Sequence, residues 1–165
     1  MQNVLPSWAQ KYNIEETALV DSAASLTLLM KNAPSAEAAT QEANKTITIP
    51  NGTNMQTNKT LQLLLSKLPP AARRGFRLNK IMHNLVAVSE LCDSGCEVRF
   101  NDEEVLITHN KEIISKGWRD KSTRLWRIPI VEKQQLTKEI IPKEQYANAA
   151  VQVSSIKVQV TSERY

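Results

Sequence analysis

The chain has 165 residues, 41% hydrophobic and 5% aromatic, with 21 Lys and Arg against 17 Asp and Glu and a formal net charge of +4. That length suits one domain with tails and suffices to bury a real core. No stretch reaches the roughly 18 consecutive apolar residues of a membrane span. "MQNVLPSWAQKYN" lacks the basic start and apolar run of a signal peptide, and the mild positive charge does not require nucleic acid. The expectation is a cytoplasmic protein that is not secreted, with reduced cysteines and neither a membrane nor a nucleic-acid partner.

Residues 1–16 read as an N-terminal lead-in or linker, in which Trp8 is a tail residue able to tuck into a groove. Thr17–Asp21 reads as a short buried strand, and Ser25–Met30 continues apolar. Lys31–Asn44 is small and polar and has no apolar face, so it reads as a long loop or a weak helix. Thr46–Gln56, "TITIPNGTNMQ", is a hairpin signal, because Asn51-Gly52 accepts the positive φ values of a tight turn. Leu61–Leu65 reads as a strand, Leu68-Pro69-Pro70 as a break, and the basic "AARRGFRL" of Ala71–Leu78 as a solvated loop.

Asn84 has the chemistry to cap a helix running to Asp93. Ile81, Leu85, Val88 and Cys92 would share one face of it, with His83 at its start. Gly95 suits the left-handed position past the helix end. In the strand that follows, Cys96, Val98 and Phe100 point one way and Glu97 and Arg99 the other. Val105–Thr108, Glu112–Lys116 and Leu125–Val131 are further short strands, with Trp118 and Trp126 packing onto the body. Short strands around one helix argue for a small, mainly β barrel or sandwich over residues 17–131. Residues 132–165 form a C-terminal extension: 131–148 is charged and helical in pattern, and "VQVSSIKVQV" alternates like an edge strand.

Cys92 and Cys96 form a C-x3-C pair without two further ligands nearby, and His83 and His109 are scattered, so no metal and no cofactor is expected. The chemistry-bearing candidate is Asp21. An aspartic endopeptidase needs two carboxylates sharing one proton, each on a tight turn at the end of a buried strand. Leu19-Val20 supplies such a strand and Asp21 the acid, with Ser22 offering a hydroxyl to brace the turn. Asp-Ser after an apolar pair is also an ordinary strand-end turn. Asp93-Ser94-Gly95 imitates the motif, but no apolar strand leads into it and Gly95 is explained by the helix stop. Asp102 and Asp120 lie in polar turns. A partner for Asp21 therefore has to come from a second copy of the chain.

The segments "LVDSAAS", "ITIPNGTNMQ", "HNLVAVSEL", "CDSGCEVRF" and "ISKGWRDKSTRLWRIPI" occur in an order that resembles the protease region of Ty1/copia-type retrotransposon polyproteins. The helix and terminal strand are also similar to those of retroviral proteases. The resemblance spans roughly residues 17–131. It implies a small retropepsin-like closed barrel with one central short helix, working as a homodimer on polypeptide substrate, the element polyprotein. Asp21 would be the acid and base, Ser22 its bracing hydroxyl, and the hairpin with Ile49, Asn51 and Gly52 a flap over the peptide.

The chain departs from the family pattern at three places. Ala23 stands where the family has Gly, and Arg124 stands where Thr-Gly-Leu-Trp has its Gly. The hydrophobic-hydrophobic-Gly that precedes the helix is represented by Ile81-Met82-His83. A second reading thus stands beside the enzyme: an inactive retroelement remnant serving as a structural or interaction module.

Overall fold

The computed structural model describes residues 5–133, without 43, 50 and 58, so the helical and edge-strand expectations for the C-terminal extension fall outside the described residues. By its internal contacts the chain divides into two units, Met1–Glu132 and Lys133–Tyr165.

The lead-in is anchored, where a loosely held linker was expected. A 3-10 helix, Ser7–Lys11, buries Ala9 and sets Trp8 edge-on to Trp118 at 5.2 Å, while Tyr12 stacks on the same indole at 6.3 Å. A second 3-10 turn, Ile14–Glu16, is held by a capping box: Asn13 Oδ1 accepts from the N–H of Glu15 and Glu16, and Glu16 Oε1 accepts from the N–H of Asn13. Reciprocal capping satisfies donors that the helix start leaves open.

That turn delivers the chain into β1 (Thr17–Asp21), apolar because it lies inside the sheet. Two short strands follow, β2 (Leu28–Leu29) and β3 (Ala36–Glu37), and the 31–44 stretch holds no helix. β4 (Thr46–Thr48) and β5 (Asn54–Gln56) form the expected hairpin, with Gly52 at φ +88°. β6 (Thr60–Gln62) is shorter than the expected strand over Leu61–Leu65. A 3-10 turn, Pro70–Arg73, then leads into β7 (Arg74–Arg77). The segment expected to be a solvated loop is thus a strand, and Phe76 is completely buried beneath Arg74 and Lys45, each 5.6 Å from its ring centre. The alternation Arg74, Phe76 against Gly75, Arg77 is too short for charge density to reveal the buried phenyl.

β8 (Asn84–Ala87) replaces the first turn of the expected helix, and α1 is only Val88–Asp93. Its end is as expected: Gly95 sits at φ +89° and its N–H donates to Cys92 O at 3.0 Å. β9 (Cys96–Phe100), β10 (Glu104–His109), β11 (Glu112–Asp120) and β12 (Leu125–Pro129) form an antiparallel meander. Asn110 and Lys111 both have positive φ, 51° and 67°, matching a two-residue hairpin turn between β10 and β11.

The fold is mainly β, with one α-helix among the described residues. Ten strands form one sheet in the order β3-β6-β7-β2-β8-β1-β12-β11-β10-β9, and β4-β5 stands apart. The expected barrel closure is not found among the described residues. Closing would need β3 to hydrogen-bond with β9, yet these are the two ends of the sheet, and β3 has only two residues. The main core joins Leu29, Leu61, Leu68, Val86, Leu91, Val105, Ile107, Ile128 and Ile130. A smaller cluster of Leu28, Phe76 and Leu78 receives Ile47 and Met55 from the hairpin.

Candidate active site at Asp21

Three strands position Asp21. β1 runs parallel to β8, with Asp21 opposite Ala87, and antiparallel to β12, with Leu19 opposite Arg127. Although β1 and β2 are consecutive, β8 lies between them and pairs antiparallel with β2 at Leu28–Leu85. The loop 22–27 must therefore arch over the end of β8, with Asp21, the last paired residue of β1, at its start.

Asn84, expected to cap a helix, is a fully buried amide that ties this arrangement together. Its Oδ1 accepts from Met30 N–H at 2.7 Å, and its Nδ2 donates to Glu15 O and Thr17 O, both at 2.9 Å. Thr27 Oγ1 accepts from Ala87 N–H at 3.1 Å, and Ser89 Oγ donates to Ala24 O at 3.4 Å. The arch is thus held from below by β8 and α1.

Asp21 is half-buried, and its Oδ1 accepts from Ala23 N–H at 2.8 Å, a turn closed by the acid's own side chain. The Ser22 side chain is exposed and makes no hydrogen bond among the described residues, so the bracing expected of it falls to Thr27 and Ser89. Ala23 is not among the residues with positive φ, so its backbone is one an alanine adopts freely.

Two cavities meet at Asp21. One, of about 270 Å³, is lined by Ala23, Leu26, Leu28, Leu85 and, from the hairpin, Ile47, Thr48 and Ile49. The other, of about 380 Å³, is lined by Leu19, Ser22, Phe100, Leu125 and Trp126. Of the expected flap residues, Ile49 joins Asp21 in a cavity, while Asn51 and Gly52 form the exposed tip and line neither. Two hydrogen bonds close the tip: Gly52 N–H donates to Ile49 O at 2.8 Å and Thr53 N–H to Asn51 Oδ1 at 2.8 Å. Ile47 was missed, though the alternation Ile47, Ile49 signals one face of a strand. Phe100 and Trp126 pack edge to face at 5.0 Å, a pairing that residues so far apart in sequence do not announce.

The other carboxylates stay apart. Asp93 ends α1, and Asp120 closes a turn with Ser122. Burial alone would raise the Asp120 carboxyl, but the Ser122 hydroxyl, the Ser122 and Thr123 N–H groups and Arg127 hold it below the ordinary carboxylate value. His83, expected at a helix start, instead meets Arg127: its Nδ1 lies 2.8 Å from Arg127 Nη2, while Arg127 Nη1 donates to Thr17 Oγ1 at 3.0 Å. Desolvation and the adjacent guanidinium lower the His83 pKa, favouring the neutral ring as acceptor. The residues that lead directly into α1 are Leu85-Val86-Ala87 of β8, and Ile81-Met82-His83 lie before that strand.

Cys92 and Cys96 are free thiols, and burial pushes the Cys96 thiol up. No three His, Cys, Asp or Glu side chains converge as metal ligands among the described residues, nor is any helix there long and apolar enough to cross a membrane. Compared with protein-family models, curated proteins and solved structures, the chain matches none.

Proposed function

We propose that the chain is an aspartic endopeptidase-type domain, akin to the protease region of Ty1/copia-type retrotransposon polyproteins, in which two copies each contribute Asp21 to a dyad. The observation that carries this reading is the convergence of Asp21 and the hairpin residues Ile47–Ile49 on one apolar cavity. A lone strand-end aspartate would need neither a supported arch nor a hairpin above it. In the dyad, one carboxylate is ionised and takes a proton from a water held between the two. The protonated partner donates to the scissile carbonyl oxygen as hydroxide adds to the carbon. The tetrahedral intermediate then passes a proton to nitrogen and the C–N bond breaks. The apolar walls suit an extended peptide with aliphatic side chains. Retropepsin-like identity with a closed barrel belongs to this proposal.

The remnant reading draws on Ala23 and on the missing glycine ahead of the helix. The backbone at Ala23 argues against it, because the methyl there meets no left-handed φ. The test uses the full chain and a denatured peptide library near pH 5. The expected result is cleavage that stops with a statine-type inhibitor and with Asp21→Asn. Cleavage that survives Asp21→Asn refutes the assignment. A silent wild type that Ala23→Gly switches on establishes the remnant instead.

A further inference from the structure

We infer that the hollow between the lead-in and the sheet binds a small aliphatic carboxylate, held by Arg127 and the indole N–H of Trp118. This cavity, of about 220 Å³, is lined by Leu5, Ala9 and Ile14 of the lead-in and by Trp118, Asp120 and Arg127 of β11 and β12. Asp21 does not line it, so the inference stands apart from the endopeptidase reading.

Two polar groups here are buried without the partners that burial demands. Arg127 is 9% exposed, and a charge so deep is ordinarily paired with a carboxylate. Among the described residues no carboxylate lies within ion-pair distance of it. Its fork instead meets neutral groups, Thr17 Oγ1 at 3.0 Å and His83 Nδ1 at 2.8 Å, and its remaining N–H groups have no acceptor among the described residues. Desolvation accordingly lowers the Arg127 pKa, a shift that the charge of Asp120 opposes without cancelling. Trp118 is 3% exposed, and its Nε1 has no hydrogen-bond partner among the described residues. Trp8 and Tyr12 pack on the indole without offering that nitrogen an acceptor. A buried donor left unmade costs the full desolvation of the group. One anion with two acceptor oxygens in the cavity would satisfy both residues.

The rest of the lining sets the class of ligand. Leu5, Ala9 and Ile14 give apolar walls, and Ile14 is itself an exposed apolar residue. A water's share of liquid volume is about 30 Å³, so the space exceeds a single bridging water and admits a short aliphatic body. Asp120 disfavours a dianion such as phosphate, because its carboxylate shares the cavity and is held ionised by Ser122 and Thr123. A monocarboxylate brings one negative charge for one guanidinium, with two oxygens to divide between Arg127 and the indole.

Proton–nitrogen correlation NMR on the full chain tests this through the indole resonance of Trp118, with butyrate as the probe and butyramide as its uncharged counterpart. Butyrate is expected to move that resonance downfield and saturably. Its dissociation constant should be millimolar, the range that the ceiling on binding energy per atom allows so small a ligand. Butyramide should bind at least roughly tenfold more weakly, since it brings no charge to Arg127. Trp118→Phe keeps a ring against Trp8 and Tyr12 but removes the N–H. It should weaken butyrate by roughly tenfold, read on the backbone N–H of Arg127. An indole that butyrate leaves unmoved, butyramide binding as tightly as butyrate, or a Trp118→Phe chain that binds butyrate like wild type would each overturn the inference. So would an indole whose partner is a long-lived water, seen as a cross-peak to the water line that butyrate does not remove. If Trp118→Phe fails to fold, the butyrate and butyramide titrations of wild type decide alone. Peptide cleavage by wild type or by Asp21→Asn bears on neither titration, so the two readings stand or fall separately.

Discussion

Replacing Asn84 by alanine removes a buried amide that holds three backbone groups at once. Met30 N–H, Glu15 O and Thr17 O lie 2.7, 2.9 and 2.9 Å from its polar atoms. At about 1 kcal/mol for each net hydrogen bond, the loss is about 3 kcal/mol, and leaving the Met30 N–H without an acceptor adds about 1 kcal/mol. For a unit of this size that corresponds to a fall in Tm of roughly 10–15 °C. Urea denaturation followed by circular dichroism reads the change directly, with an unchanged slope marking an effect on stability alone. Asn84→Asp sharpens the test. The aspartate retains an acceptor for Met30 N–H but faces two carbonyls, which raises its folded pKa above the unfolded value. A group raised in this way is best tolerated below its unfolded pKa of about 3.9 and costs progressively more as pH climbs through the folded value. Asn84→Asp should therefore approach wild type in acid and fall behind at neutral pH. A loss below about 1 kcal/mol for Asn84→Ala, or a pH-independent deficit for Asn84→Asp, would refute the role given to this amide.

Three other outcomes follow from the same strands. His83 has a lowered pKa, so the neutral ring belongs to the folded state, and the stability it contributes is present above its unfolded pKa of about 6.5 and lost as pH falls from there through the lower folded value. Thermal melts between pH 5 and 7.5 should show this slope in wild type and flatten it in His83→Gln, whose amide oxygen can still accept from Arg127. A Cβ added at Gly117 would stand 1.8 Å from Arg127 O, a backbone atom that cannot yield without breaking the β11–β12 pairing, so Gly117→Ala should cost more than about 3 kcal/mol in chemical denaturation. Arg124 holds φ +64°, the left-handed region, and its replacement by glycine should raise stability by about 0.5 kcal/mol, strain relief exceeding the entropy that glycine adds to the unfolded chain.

Turn chemistry was the most legible part of the sequence. Asn51-Gly52 announced its hairpin and Gly95 its helix stop because each requires a positive φ that few residues accept. β1 was legible from an apolar run ending in a carboxylate. Asn84 misled for a physical reason: its amide is equally suited to capping a helix and to bridging backbone groups from separate strands. Only the partners from residues 15, 17 and 30 decide between those uses, and they are distant in sequence. The same holds for the lead-in, whose Trp8 and Tyr12 needed Trp118 to become a cluster, and for His83, whose partner Arg127 lies 44 residues away. Barrel closure is not legible in short strands and turn signals, because it depends on pairing between the two end strands of the sheet, which local pattern does not encode.

At the candidate site the departures from glycine carry different weights. Position 124 takes a left-handed φ, so its arginine bears a real conformational cost, held in place by Arg119 Nε donating to Arg124 O at 3.2 Å and by Arg119 lying over Trp126 at 4.5 Å. Position 23 bears no such cost, because the arch closes through Asp21 Oδ1 and Ala23 N–H without a left-handed residue. A methyl at position 23 can therefore act only through space, against substrate or against the same methyl in a second copy. Any activity gained by Ala23→Gly should then appear without a matching change in the monomer's unfolding free energy. If that variant instead shifts monomer stability by more than about 1 kcal/mol, the backbone at the arch is strained after all and the spatial account is wrong.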